Sequence, residues 1–445
     1  MKKLALQTLL LCSLLLLMML PAVMAQNAPA KATAPATKPA ETPSTWGAKI
    51  YGFIRNDIMY DTRQVVSARP ATQGELLLYP AAISKDANGK DINAASSFSM
   101  LAITSRLGVS VTGPDALGAK TSGTLEAEFF GNANGNENVF RLRHAWAKLD
   151  WPKTQLAFGQ YWHPLFVVDC FPGVVSFNTG MPFQPFARNP QIRLTQRVAK
   201  DLNLIVAALS QTEAFVSPGS STGTALGAAS ASQTFANNSG IPNLHAQLQY
   251  KGKWLVAGVA YDFKQLRPAL RATSGTSTVS TNEKVKSSTF EAYAKLITKP
   301  IIWKMEYVAG QNMYDHLMFG GYLAYGTTPN ITYKPMKVTS FWTEISGTGK
   351  KFVPAIFFGY AKNGGASTTG AVASYARSVS ASGSSIDYVW RIAPRAEYTA
   401  GKFKFAAEIE HTAAAYGTAG SDGKVTGTTD KVNNTRLLFT TTFSF

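Results

Sequence analysis

The sequence predicts an all-β protein: a transmembrane antiparallel β-barrel of about 16 strands with an inward-folded constriction loop. Three observations predict it. Short segments alternate apolar and polar side chains with period 2. After the first 25 positions no run of 18 or more apolar residues remains, although 45% of the 445 residues are hydrophobic. The connections between the segments alternate between short and long. A soluble sandwich has no reason for such a rhythm, whereas a membrane barrel joins its strands by short turns at one end and longer loops at the other, with apolar faces toward lipid and a polar lumen.

Taken in order, the chain opens with Lys2 and Lys3, an apolar run from Leu4 to Leu20, Pro21, and a small-residue site at Val23 to Ala25. This pattern reads as a cleaved secretory signal over 1–25; a retained helical anchor is the alternative. Removing it lowers the formal charge from +17 to +15 and leaves Cys170 as the one cysteine, so no internal disulfide can form. Residues 26–45, rich in Ala, Pro, Thr and Lys, have almost nothing to bury and read as a disordered periplasmic spacer. The barrel then occupies 46–445, with strands expected near 47–60, 99–112, 122–131, 138–150, 153–161, 189–198, 202–210, 242–251, 254–263, 288–298, 301–311, 336–346, 352–362, 386–399, 402–413 and 433–445. Short turns such as 150–153, 199–201 and 251–253 alternate with long loops near 61–98, 162–188, 211–241, 264–287, 312–335, 363–385 and 414–432. Trp46, Tyr60, Trp151, Tyr161, Trp254, Tyr261 and Tyr398 sit near strand ends, as interfacial aromatics do. The final strand sets Leu437, Phe439, Thr441, Phe443 and Phe445 on one face and ends in phenylalanine, which resembles the C-terminal assembly signal of Gram-negative outer-membrane proteins.

Alternation also assigns faces. In 99–112, Leu101, Ile103, Leu107, Val109 and Val111 oppose Thr104 and Arg106; in 139–149, Phe140, Leu142 and Trp146 oppose Arg141 and Arg143. If apolar faces meet lipid, the lumen beside the first six strands receives Arg55, Arg106, Arg141, Arg143, Arg193 and Arg197 against Asp57, Glu126 and Glu128. Such a basic wall concentrates anions, and each guanidinium offers a carboxylate two parallel hydrogen bonds. The competing reading pairs Arg106 with Glu126 and Arg143 with Glu128 across neighbouring strands, neutralising them. The far wall mixes Glu291, Lys295, Lys304, Glu306, Arg391, Arg395, Glu397, Lys404, Glu408, Glu410 and Arg436 and is expected to carry mostly solvated pairs. The loop 162–188, with five phenylalanines, four prolines and Asp169 as its one acid, is too apolar for an exposed outer loop. Folding into the barrel as a constriction buries it, with Asp169 facing the arginines and Arg188 at its end; packing on a neighbouring subunit is the alternative. Cys170 reads as a small buried filler.

The runs Tyr51-Gly-Phe-Ile-Arg-Asn-Asp57, Thr104-Ser-Arg-Leu-Gly-Val109, Leu125-Glu-Ala-Glu-Phe-Phe-Gly131, Phe140-Arg-Leu-Arg-His-Ala-Trp-Ala-Lys148 and Leu156-Ala-Phe-Gly-Gln-Tyr-Trp162 resemble the DcaP-like porins of Gram-negative outer membranes. The resemblance covers 46–162 and is generic beyond. It implies a homotrimer of sixteen-stranded barrels that prefers anionic organic solutes such as dicarboxylates. It also places Arg106, Arg141 and Arg143 on the family's arginine-bearing strands. One departure stands: residues 27–45 lack the apolar heptads of the N-terminal coiled coil often found in that family.

The leading function is therefore passive diffusion of small anions, with outer-membrane lipid and lipopolysaccharide as surroundings. An exported chain is not expected to read nucleic acid despite its charge. A barrel enzyme would need a nucleophile and base within reach; of His144, His163, His245, His316 and His411, alternation phases only His245 clearly inward, with His144 and His411 on the lipid side. Gly347-Thr-Gly-Lys350 lacks the Ser or Thr that a phosphate loop requires after its Lys. No metal or cofactor is expected. A closed structural or adhesive barrel is the third reading.

Overall fold

The computed structural model describes residues 45–68, 74–131, 138–211, 234–274, 276–379 and 384–445. The expected signal and spacer lie outside them except for Thr45, as does most of the connection 211–241.

Sixteen antiparallel strands close into one barrel. In chain order they are β1 (Gly47–Asp61), β2 (Ser97–Leu101 and Arg106–Ala116, two halves of one interrupted strand), β3 (Ala119–Glu128), β4 (Arg141–Asp150), β5 (Thr154–Trp162), β6 (Arg188–Ala199), β7 (Leu202–Leu209), β8 (Asn243–Lys251), β9 (Leu255–Leu266), β10 (Val285–Ile297), β11 (Ile301–Gln311), β12 (Lys337–Gly347), β13 (Phe352–Gly365), β14 (Ser385–Ala400), β15 (Phe403–Ala419) and β16 (Val425–Ser444). Each strand pairs with its sequence neighbours, and β1 closes the ring by pairing with β16 from Phe53 to Asp61. Among the described residues no helix is long and apolar enough to cross a membrane.

The faces are inverted relative to a protein dissolved in water. Ile50 is 65% exposed, and Ile54, Leu125, Phe158, Ile192 and Leu437 are exposed with it, while Glu128 and Arg436 are fully buried inside. Contiguous exposed apolar surface on strand after strand belongs against hydrocarbon, where closed hydrogen-bonded sheet leaves no backbone group unsatisfied. Trp46, Tyr60, Trp254 and Tyr398 are exposed at or near strand ends as expected, whereas the exposed Tyr261 lies in mid-strand because β9 runs on to Leu266. Tyr161 departs from the expectation, since its ring stacks on Trp146 at 5.3 Å.

Two irregularities overturn the face assignment by strict alternation. Residues 102–105 interrupt β2 and reset its phase: Phe98 and Met100 point out before the break and Leu107 after it, whereas Ile103 is buried in the inner apolar cluster. In β4 a bulge sets Glu126 of β3 opposite His144 and the next residue, Ala127, opposite Leu142. Arg143 and His144 are consequently both buried, and Trp146 moves from the expected lipid face to the inner one. Gly159, opposite Trp146, completes this kink: its φ is +112°, and a Cβ there would lie 2.0 Å from the Ala145 carbonyl oxygen.

The long connections form small sheets at one end of the barrel. Val65–Ser67 pairs with Leu77–Pro80, Arg271–Ser274 with Ser277–Ser280, and Gly321–Tyr325 with both Thr332–Pro335 and Ala371–Ala376. The expected loop 414–432 is instead a continuation of β15 and β16 around a short turn, with Ala414, Ala415 and Tyr416 buried.

The closing seam carries its own clamp. Asp61 and Arg436 are register partners, and Arg436 Nε and Nη2 donate to the two Asp61 carboxylate oxygens at 3.0 and 2.8 Å. Arg436→Met alone should cost roughly 3–5 kcal/mol, because a buried carboxylate is left unpaired, and adding Asp61→Leu should recover most of that. Urea unfolding of the refolded barrel measures both; equal losses in the single and double variants would show that the clamp does not hold the seam.

Candidate functional site

The inner wall beside β1 to β6 is built on two buried glutamates of β3. Glu128 lies within 3.4 Å of Arg106, 3.0 Å of Arg141, 2.5 Å of Arg143 and 3.6 Å of Arg188. Glu126 takes Arg143 at 2.8 Å, Arg106 at 3.6 Å and the Tyr51 hydroxyl at 3.0 Å. The bulge makes this possible by turning Arg143 and His144 inward together. Cross-strand pairing thus engages Arg106, Arg141 and Arg143, yet four guanidiniums surround two carboxylates and the cluster stays positive. Trp162 supports it with its ring face, with Arg143 and Arg188 at 5.6 and 5.1 Å from the centroid.

The remaining candidates separate along the wall. Arg55 is paired with Asp57 at 2.7 Å and donates from Nη2 to the Val175 carbonyl at 2.6 Å. Arg193 donates to the Trp162 carbonyl at 2.6 Å and to Gln191, beneath the rings of Trp146 and Tyr161, and has no carboxylate partner among the described residues. Arg197 is exposed near the 199–201 turn, where it shares a hollow of about 470 Å³ with Lys200, Asp201, Asn203 and Lys251. Exposure divides the set further. The side chains of Arg55, Arg106 and Arg141 keep 13–19% of their surface, whereas Arg143 and Arg188 keep 2% or less.

The loop from His163 to Ala187 spends its polar backbone on inward side chains of distant strands. Gly173 N–H donates to Glu344 at 2.6 Å, Val175 and Ser176 N–H to the two oxygens of Glu408 at 2.8 and 3.0 Å, and Asn178 to Glu410 at 2.6 Å. Arg391 donates to the Met181 carbonyl at 2.6 Å, and Ser340 to that of Phe183 at 2.7 Å. Its apolar side chains Leu165, Phe166, Val167, Met181, Phe183 and Phe186 join Trp342, Phe357 and Val389 of the far strands in one buried cluster. Asp169 does not face the arginines as expected: it is 2.8 Å from Lys251, because the loop carries it toward the 251–253 turn. Cys170 is fully buried, as expected, and burial pushes its thiol up to about 12.

The far wall also differs from expectation. Arg391, Arg395, Glu408 and Glu410 are buried, not solvated, and the pairs of Arg391 with Glu410 and of Arg395 with Glu344, a residue the expected set lacked, at 3.0 Å each, double as anchors for the loop. Only Lys404–Glu397 matches the solvated picture, with the lysine side chain 47% exposed. Sequence reading missed the gathering of His163, His245 and His316 with Asp262. All four come from separate connections or strands, so no spacing in the chain signals it; the period-2 inward phase of His245 was the one available hint.

A family profile described as DcaP outer membrane protein matches residues 24–288. The outer membrane channel DcaP of Acinetobacter baumannii is 15% identical, with TM-score 0.63 over 90% of this chain and 98% of that one. The anion-selective porin from Comamonas acidovorans is 12% identical, with TM-score 0.51 over 90% and 100%. OmpT of Vibrio cholerae, in vitro folded and in its trimer form, is 11% identical, with TM-score 0.51 over 90% and 100%. No curated protein matches the chain. At these identities the solved structures speak for the barrel fold, and the profile, which spans more than half of the chain, adds the kinship: this is an outer-membrane porin-type barrel, and the chain belongs to the DcaP outer membrane protein family.

Proposed function

We propose that the protein is a passive diffusion channel for small hydrophilic solutes that prefers anions, with organic acids such as dicarboxylates as the solute class. The observation that carries this reading is the cation excess along one inner wall. Arg55, Arg106 and Arg141 offer partly exposed guanidiniums, Arg193 has no carboxylate partner among the described residues, and Arg197 and Lys200 continue the row into the hollow at the short-turn end. Weak repeated contacts of this kind admit an anion and release it again. Arg143 and Arg188, buried around Glu128, hold the wall in place and tune its field. The loop 162–188 is the constriction, and Asp169 pairs with Lys251 at its lower edge. The reading assigns no catalysis, no cofactor and no nucleic-acid partner.

The same proposal takes 1–25 as the secretion signal, 26–45 as a periplasmic spacer and 46–445 as the barrel. It places the exposed outer face in outer-membrane lipid and lipopolysaccharide, with the working unit a homotrimer, as in the trimer form of the Vibrio neighbour. A second reading, a barrel with a closed lumen and a structural role, is favoured by one observation: Leu76, Leu78, Phe183, Leu317 and Phe319 from three connections are all fully buried in the same inner cluster. Current separates the two. Planar bilayers under a potassium chloride gradient should give an anion-selective reversal potential, and R106A with R141A should lower the chloride-to-potassium permeability ratio roughly twofold or more. Cation selectivity would overturn the charge argument, and a folded barrel without conductance would establish the closed reading.

Glu75, in the connection after β1, couples this packing to pH. It is buried near Asp57, and burial, with the Asp57 charge, raises its carboxyl to about 8 despite Arg55 and Arg436. The native state therefore holds a proton that the unfolded chain releases near 4.5, so this contribution to stability is full at acid pH and is lost as the pH climbs toward 8. Glu75→Gln should be more stable than the parent at pH 8 and indistinguishable from it near pH 4.5. Unfolding midpoints across that range test this, and a parallel pH profile for the two proteins would refute it.

A further inference from the structure

Beside the arginine wall, the barrel interior holds a second cluster of chemistry-bearing groups. His245 of β8 and Asp262 of β9 are register partners, both inward and both 4% exposed. His163, the first residue after β5, brings Nε2 to 3.4 Å from Asp262 Oδ2, and His245 Nδ1 lies at the same distance from that oxygen. All three ligand atoms fall within 4.8 Å of one another. His316, from the turn after β11, packs edge-on against His163 with ring centroids 4.6 Å apart. Asp262 Oδ2, His163 Nε2, His245 Nδ1 and His316 Nδ1 are all buried without a hydrogen-bond partner. Four orphaned polar atoms in one place depart from the rule that buried polar groups are satisfied.

The hydrogen bonds around the rings sharpen the point. His245 Nε2 lies 3.4 Å from the Gln247 Oε1 acceptor, and the tautomer with its proton on Nε2 aims the Nδ1 lone pair at the Asp262 carboxylate. Two acceptors face each other across 3.4 Å, and a cation between them removes the repulsion. His163 Nδ1 accepts from the Leu165 N–H at 3.2 Å, and ligation through Nε2 gives up that contact, which makes His163 the weaker arm.

We propose that His245 Nδ1, Asp262 Oδ2 and His163 Nε2 form a binding site for one divalent transition-metal ion of the zinc class, with a coordination position left open on the His316 side. Two imidazoles and one carboxylate are a ligand set that zinc takes in proteins. The ion would tie the start of the loop at His163 to the β8–β9 wall.

The test uses the full-length refolded barrel, stripped with chelator and titrated with Co2+ as the spectroscopic stand-in for Zn2+. The expected result is one Co2+ per chain with visible d–d bands, displaced by Zn2+. His245→Gln and Asp262→Asn should lose it, His163→Gln should weaken it about tenfold or more, and His411→Gln, remote from the cluster, should retain it. Absence of stoichiometric binding by the folded parent, or binding that survives in both His245→Gln and Asp262→Asn, would overturn the proposal. Should those variants fail to fold, X-ray absorption of the zinc-loaded parent decides: a first shell with two imidazole nitrogens supports the site, and any shell without them overturns it.

Discussion

An apolar loop inside a polar barrel must find partners for every backbone polar group it carries inward, and the rest of this interior is arranged around that constraint. Glu344 and Glu408 meet it by accepting from Gly173, Val175 and Ser176, and Arg391 by donating to Met181. Those carboxylates are themselves buried: Arg395 and Lys304 flank Glu344, Arg391 flanks the nearby Glu410, and Glu408 takes its two hydrogen bonds from the loop itself. With the backbone satisfied, the phenylalanines are free to cluster with Trp342 and Phe357, which supplies the favourable term for docking.

The opposite wall answers the same constraint with the signs exchanged. There the buried carboxylates are few and the guanidiniums many, so Glu126 and Glu128 act as hubs and leave positive charge over. The excess arginines are steadied by aromatic faces: Arg193 by Trp146 and Tyr161, Arg188 by Trp162. The two walls differ for this reason: on one, Glu344 and Glu410 pair with cations where the loop is fastened, and on the other four guanidiniums gather around two carboxylates.

Most of the barrel was legible because period-2 patterning, turn chemistry and connection length all point the same way, from β1 through the last strand. The failures have a common physical cause. Leu101, Ile103, His144 and Trp146 were placed on the wrong face because a bulge or break adds a residue that inverts the phase, and nothing in composition marks where the sheet takes up such strain. The arginines of the wall were legible by type and phase, but their depth was not: that Arg143 is buried while Arg141 is partly open depends on the bulge. Asp169 was misplaced because a loop's path is set by distant partners such as Glu344 and Glu408. The histidines meet only through barrel closure, which brings residues 163, 245 and 316 together from three separate stretches.

A barrel wall transmits force from strand to strand around its circumference. The loop from β5 to β6 adds a different path, since it leaves and re-enters at adjacent strands while its middle is fastened to β12, β14 and β15. Mechanically it is a chord across a hoop. A hoop so braced resists flattening along the chord more than across it, and the chord ties the arginine-bearing side, through β5, β6 and the Arg55–Val175 contact, to β12, β14 and β15.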